Sequence, residues 1–335
     1  MTTTRLFQST DASAPVLTGQ VGSLIALLQA CLVGTAGVAY GSGGTAKTAA
    51  GWTNPYDDAT NHKSAFRNSL AAGGTGCYLH IDDNATGTAG AKEGFQIAYA
   101  TMSDVNTGTH PTPTTAQLAL GTIIRKSWAA SSAARAWIIV ADELTYYMWI
   151  ESDSTNEKEN SVYGGGDYLA DEAANSYRFF SLGRNTQNVA TGCCGTFEMT
   201  ISGLAAPTLD QLGLWLGSGY ALTGASVAAA FAYFSWLAGG YAIGGSMSLL
   251  SDPSPGAGKR YYIPAIVICE STIRGRLRGV YLPLNNVSSV ARGTVDSNAV
   301  GLPTGSALII MKASAYLGGG TSYAGRCGVE SALAW

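Results

Sequence analysis

The sequence predicts a mainly β fold, with short antiparallel strands and hairpins in a sandwich- or barrel-like arrangement and one N-terminal amphipathic helix; an α+β arrangement is the alternative. Three observations predict it. Runs of β-branched and aromatic residues recur in pairs around turn residues, 43 glycines punctuate the 335 residues, and only one segment has helical periodicity.

That segment is Leu17 to Val33, where Val21, Leu24, Ile25, Leu28 and Leu32 recur at three- and four-residue steps. Thr18 is available as its N-cap and Gly34 as its stop. A Gly/Ala/Thr-rich loop and Gly51-Trp-Thr-Asn-Pro-Tyr56 follow, and then the strands begin. Gly76-Cys-Tyr-Leu-His-Ile81 and Glu93-Gly-Phe-Gln-Ile-Ala-Tyr-Ala-Thr101 flank a polar loop, and Ala136–Ala141 meets Thr145–Ile150 across Asp142-Glu143. Tyr261–Cys269 with Gly275–Leu282, and Ala307–Lys312 with Gly325–Glu330, give two further hairpins. The polar stretch 151–160 suggests a boundary between a helix-plus-hairpin unit (1–150) and a β-rich unit (161–335), although the whole could equally form one domain. No regular repeat or coiled-coil heptad occurs.

Only 12% of residues are charged and 46% are hydrophobic, against roughly 25% charged in typical soluble domains. A surface so poor in charge suggests contact with other subunits, and a coat of Ser, Thr, Asn and Gly is the competing explanation. Net charge is −3 and no block of Lys or Arg occurs, which argues against a nucleic-acid partner. Arg274, Arg276 and Arg278 alternate at strand spacing, which predicts one solvated or subunit-facing strand face. The first residues lack the basic leader of a secretory signal. The uncharged span between Asp210 and Asp252 is broken by glycines and lacks Lys or Arg anchors, so no membrane partner is expected.

Cys31, Cys77, Cys193, Cys194, Cys269 and Cys327 form no CxxC pair, so free or buried thiols are expected, with disulfides left open. Several segments approach chemical motifs. Gly41-Ser-Gly-Gly-Thr-Ala-Lys-Thr48 misses the phosphate-binding loop by Ala46, where a glycine would let backbone approach phosphate. Asp82-Asp-Asn-Ala-Thr-Gly-Thr-Ala-Gly-Ala-Lys-Glu93 approaches a calcium loop, with Thr86 departing from it at the fifth position; a polar hairpin loop is the simpler reading. His62, His80 and His110 lack close His or Cys partners. Asp57-Asp58, Asp82-Asp83 and Asp142-Glu143 are the carboxylate pairs that a glycosidase could use, and each lies in turn-like context. The expectation is therefore no catalytic, cofactor-binding or metal-ligating residue, no cofactor, and no enzyme activity.

Ser9–Leu28, Ala50-Gly-Trp-Thr53, Lys63-Ser-Ala-Phe-Arg67, Met102-Ser-Asp-Val105 and Arg274-Gly-Arg-Leu-Arg-Gly279 together resemble a family of uncharacterised virion structural proteins of tailed bacteriophages. The resemblance implies a non-enzymatic virion component, assembled in the host bacterial cytoplasm and present in many copies. Its partners would be copies of itself and other virion proteins, major capsid or tail. A capsid-associated position (head decoration, minor capsid or neck) is expected. The alternatives are a tail or baseplate protein, a receptor- or glycan-binding module, and a polysaccharide hydrolase.

Overall fold

In the computed structural model, the described residues are 2–87, 90–152, 161–172, 174–184, 213–218, 227–228, 258–269, 272–283, 290–314 and 324–335. They form a mainly β protein of antiparallel sheets with a nearly closed, barrel-like sheet, as the sequence predicts. All four predicted hairpins are present as antiparallel pairs.

Three sheets stack face to face. The central one has the strand order Arg5–Gln8, Trp137–Ala141, Thr145–Ile150, Ser161–Asp167, Phe179–Leu182, Leu214–Leu216, Val227–Ala228. An outer sheet of five runs Thr122–Arg125, Glu93–Tyr99, Tyr78–Asp82, Lys63–Arg67, Thr53–Asp58. The third runs Ala299–Val300, Arg260–Cys269, Thr272–Pro283, Ala324–Glu330, Leu308–Ser314, with Leu169–Ala170 added beside Thr272–Pro283. A bridge between Ile123 and Arg184 joins the outer sheet to the central one. Thr145–Ile150 and Ser161–Asp167 are hydrogen-bonded neighbours in the central sheet.

The central sheet is buried on both faces, which is why Trp137–Ala141 and Thr145–Ile150 read as continuous apolar runs rather than as alternating ones. Trp137, Ile139, Ala141, Tyr146, Met148, Ile150, Tyr163 and Phe179 pack toward Phe66, Leu79, Ile81, Ala98 and Ile124 of the outer sheet. Their neighbours of opposite parity, Ile138, Val140, Tyr147, Trp149, Val162 and Phe180, pack toward Ala265, Val267, Leu277, Val280, Ile309, Met311 and Val329. Close approach of the first two layers needs Gly165, where a Cβ would lie 2.7 Å from Leu79 Cδ1. Beside it Gln96 Nε2 donates to Gly164 O at 2.7 Å and to Ser181 Oγ at 3.0 Å, while Tyr146 OH donates to Gln96 Oε1. A buried amide of the outer sheet thus finds its partners on three strands of the central sheet and ties the two layers together.

The N-terminal helix is shorter than its periodicity predicts. The α-helix spans Ser23–Leu28 and continues as one π-helical turn, Gln29–Val33, ending at the predicted Gly34 with φ +69°. Leu24, Ile25, Leu28 and Leu32 are buried as expected, but Val21 is not. Residues 17–22 are taken by tertiary contacts instead: Leu17 bridges Arg135, and Gly22 enters the helix in left-handed backbone. Thr18 accordingly does not cap the helix; its carbonyl accepts a bond from Ser23 Oγ at 2.9 Å.

Candidate functional site

The residues that looked like chemistry are dispersed, and most are engaged in holding layers together. Asp83 ends the outer-sheet strand Tyr78–Asp82 and is fully buried with Lys126, which follows Thr122–Arg125; the two form an ion pair. Asp83 Oδ2 also accepts from Leu24 N at 2.9 Å, and Lys126 Nζ donates to Gln20 O at 2.7 Å. Burial pushes the Asp83 carboxyl up and the Lys126 ammonium down, and each partner's charge opposes the shift. Glu93 lies directly across from Arg125 in the register, with a buried Arg125 Nη1 to Glu93 Oε1 contact of 2.7 Å.

Glu93 at the twelfth position of the calcium-like loop, and Asp83 beside its first, are therefore neutralised from within the chain by adjacent basic residues 32 and 43 positions away. Asp82 pairs with Lys63 at 3.6 Å and caps the turn at Asn84. Among the described residues, no group of three or more His, Cys, Asp and Glu could hold a metal ion. Residues 88–89 of the loop lie outside the described residues.

Gly41–Thr48 is no phosphate cradle in its local structure. Gly43–Thr45 is a single 3-10 turn, and Lys47–Thr48 pairs as a strand with Val38–Tyr40 where a phosphate loop would open a helix. Lys47 Nζ contacts Asp11 Oδ1 at 3.2 Å and Leu6 O at 3.3 Å, covering the edge strand Arg5–Gln8 of the central sheet.

The carboxylate pairs are likewise engaged. Asp142 Oδ1 accepts from the amides of Leu144 and Thr145, both at 2.8 Å, and Asp142 Oδ2 meets Arg278 Nη2 at 2.7 Å in a buried ion pair. Glu143 binds Arg5 at 3.0 Å and Thr3 N at 2.7 Å. Asp57 accepts from Gln29, and Asp58 closes the turn at Asn61.

The arginine triplet departs from its expected solvated face. Arg276 is exposed, but Arg274 and Arg278 are buried. The pairing of Thr272–Pro283 carries register shifts, and Gly279 has φ +63°, so strand alternation fails here. Arg278 Nη2 thereby reaches Thr2 Oγ1 at 3.2 Å and Trp335 O at 2.9 Å as well as Asp142. On the neighbouring strand Arg260 meets Asp296 at 2.9 Å, and Tyr262 OH donates to the same carboxylate at 2.7 Å.

His80 is mostly buried on the strand Tyr78–Asp82, its Nε2 has no hydrogen-bond partner, and burial holds its pKa down at about 4. His62 lies in left-handed backbone against Gly22, and the His110 ring packs tilted against Tyr177 with centroids 4.6 Å apart. Cys31, Cys77 and Cys327 are buried free thiols. Cys77 Sγ lies 3.6 Å from Asp167, whose buried carboxylate also accepts from Asn68 and Thr75. Cys193 and Cys194 lie outside the described residues, as does most of the uncharged span 211–251. No described helix is long and apolar enough to cross a membrane.

Sequence reasoning missed Arg125, Lys126, Arg260 and Asp296. Two adjacent basic residues ending the apolar run Thr122-Ile-Ile were the available signal, since a charge at the end of a buried strand needs a partner. No family model matches the chain, and no curated protein matches it. Fold and local geometry define a layered β protein with several ion pairs buried in its interior.

Proposed function

We propose that this chain is a non-enzymatic structural protein of a tailed-bacteriophage particle, present in many copies and capsid-associated. The observation that carries the reading is the location of charge. The protein has only 19 basic and 22 acidic residues, and among the described residues twelve are buried: Asp83, Glu93, Arg125, Lys126, Asp142, Asp167, Arg184, Arg260, Arg274, Arg278, Asp296 and Glu330. Among the described residues the exterior thus carries fewer charges than the sequence alone implies. A freely diffusing monomer gains solubility from mixed surface charge, whereas a subunit surrounded by neighbours does not need it. The bacteriophage setting comes from the resemblance of Ser9–Leu28 and the four shorter stretches.

Cross-linking mass spectrometry on intact particles tests the proposal. The expected result is many copies per particle with links to the major capsid protein. Absence from purified particles overturns it, and links confined to tail or baseplate proteins overturn the capsid position.

A further inference from the structure

His80 lies on the side of the outer sheet turned away from the central one. Phe66, Leu79, Ile81 and Ala98 pack inward, so strand alternation turns Ala65, Tyr78, His80 and Tyr99 outward. A hairpin of Thr101–Asp104 and Thr107–Thr109 crosses that outward side. Its Met102 packs with Ala65 and Tyr78, and Met102 O accepts from Tyr56 OH at 3.0 Å. At the tip Lys63 Nζ donates to Asn106 Oδ1 at 3.4 Å, and on the returning strand a Cβ at Gly108 would lie 2.5 Å from Tyr99 Cδ1. Ala65 is the register partner of His80, and the Tyr99 ring meets the imidazole edge-on with centroids 6.4 Å apart. The hairpin thus rests on the side chains that wall in His80, whose Nε2 is enclosed without a hydrogen-bond partner.

Little holds the hairpin down. It forms a two-stranded sheet of its own beside the five strands below, and its pairing shifts register between Met102 and Asp104. Of residues 101–109 only Met102 is buried. A two-stranded hairpin is marginal by itself in water, so this one stays closed through Met102 and the few bonds around it. Its ends are fixed, since Ala98 and Thr112 exchange backbone bonds of 2.9 and 2.7 Å, and it can lift without moving the sheet.

We propose that the hairpin is an acid-released strap: protonation of His80 lifts residues 101–109 from the outer sheet while the five strands beneath keep their pairing. The proposal is independent of the particle reading above. An imidazolium has a hydrogen on each ring nitrogen and a charge, and lifting the hairpin admits the water that satisfies them. Burial disfavours the charged ring most; Asp82 on the same strand favours it and Lys63 on the next opposes it. Arg67, also on this side, lies over the Tyr78 ring at 5.0 Å, and burial raises the Tyr99 hydroxyl. From the edge strand Tyr56 donates to Met102 O, and Asp58 is held by Asn61. On the hairpin the exposed Asp104 accepts from Asn106 N at 2.7 Å. None of these groups bonds Nε2, so water is what a charged ring needs.

Amide hydrogen exchange at pH 7 and pH 5, corrected for the intrinsic rate at each pH and resolved by peptide, tests the strap on the natural chain, His80→Phe and Met102→Ala. With a pKa of about 4 when closed and 6.5 when open, opening should become about twentyfold easier between pH 7 and pH 5. Protection at 101–109 should fall by that factor in the natural chain while Tyr78–Asp82 and Glu93–Tyr99 keep theirs. His80→Phe should hold the hairpin equally closed at both pH values, and Met102→Ala should loosen it about tenfold or more at pH 7. Far-UV circular dichroism checks that each variant folds, with His80→Gln as the substitute where phenylalanine is not accommodated. Protection at 101–109 that ignores pH, or that falls equally in the His80 variant, overturns the strap. A loss shared by all five strands, or a Met102→Ala hairpin as protected as the natural one, overturns it too.

Discussion

Replacing Lys126 by methionine removes the ammonium facing Asp83 but leaves the carboxylate enclosed. Both side chains are fully buried, and breaking such a pair costs about 3–5 kcal/mol because one charge is stranded. With roughly 2.1 cal/mol/K per residue of unfolding entropy over 335 residues, the entropy at the midpoint is about 0.7 kcal/mol/K. Lys126→Met should therefore lower Tm by about 4–7 °C, read by circular dichroism at pH 7. Burial already raises the Asp83 carboxyl, and losing Lys126 raises it further above its unfolded value. The folded variant then binds the proton more tightly than the unfolded chain, so its deficit should shrink as pH falls toward the unfolded carboxyl range. Pairing it with Asp83→Leu should recover most of the loss, since two apolar groups strand nothing. A Lys126→Met variant that loses less than about 1 kcal/mol, or two single losses that simply add, would refute the reasoning.

Other expectations follow the same chemistry. Arg278→Met should cost about 3–5 kcal/mol and speed proteolysis near Thr2 and Trp335, with limited proteolysis as the readout; unchanged cleavage there would contradict the clamp. Chelator should leave Tm unchanged, because Asp82 and Glu93 are met by Lys63 and Arg125, and a fall in Tm would revive the calcium loop. His80 has a folded pKa of about 4 against 6.5 for the free side chain, so protons favour the unfolded state and stability is lost as pH falls from 6.5 toward 4. His80→Phe should lack up to about 3 kcal/mol of that loss, and parallel stability profiles for variant and natural chain would refute it. Cys31, Cys77 and Cys327 should resist alkylation until the chain unfolds, since burial raises each thiol above its ordinary range; peptide mapping assigns the labelled sites.

The hairpins were legible because each is local: a β-rich run, a turn and a second run carry the whole instruction, as in Trp137–Ala141 and Thr145–Ile150. The three-layer stack was not, because which faces meet depends on contacts such as Gln96 to Gly164 and Ser181, 68 and 85 residues apart. Helical periodicity at 17–22 was overridden by Leu17 bridging Arg135. The partners of the near-motif residues were hidden for a related reason. Asp82 and Glu93 have the spacing of metal ligands, but the cations that meet them, Lys63 and Arg125, sit on other strands, beyond the reach of any local pattern. Arg278 shows the limit from the other side, since its burial follows from a broken alternation that three evenly spaced arginines conceal.

The doubly covered central sheet separates two duties that a thinner sandwich would have to combine. In a two-layer protein every strand offers one side to solvent, so changing a contact with a neighbour also alters the pleated framework beneath it. Here the framework strands, Trp137–Ala141 and Thr145–Ile150, are covered by a layer on either side. Outward-facing positions on the flanking layers and loops can change their contacts while this spine stays as it is. Stiffness and association are in this way written in different residues, and either can vary while the other is kept.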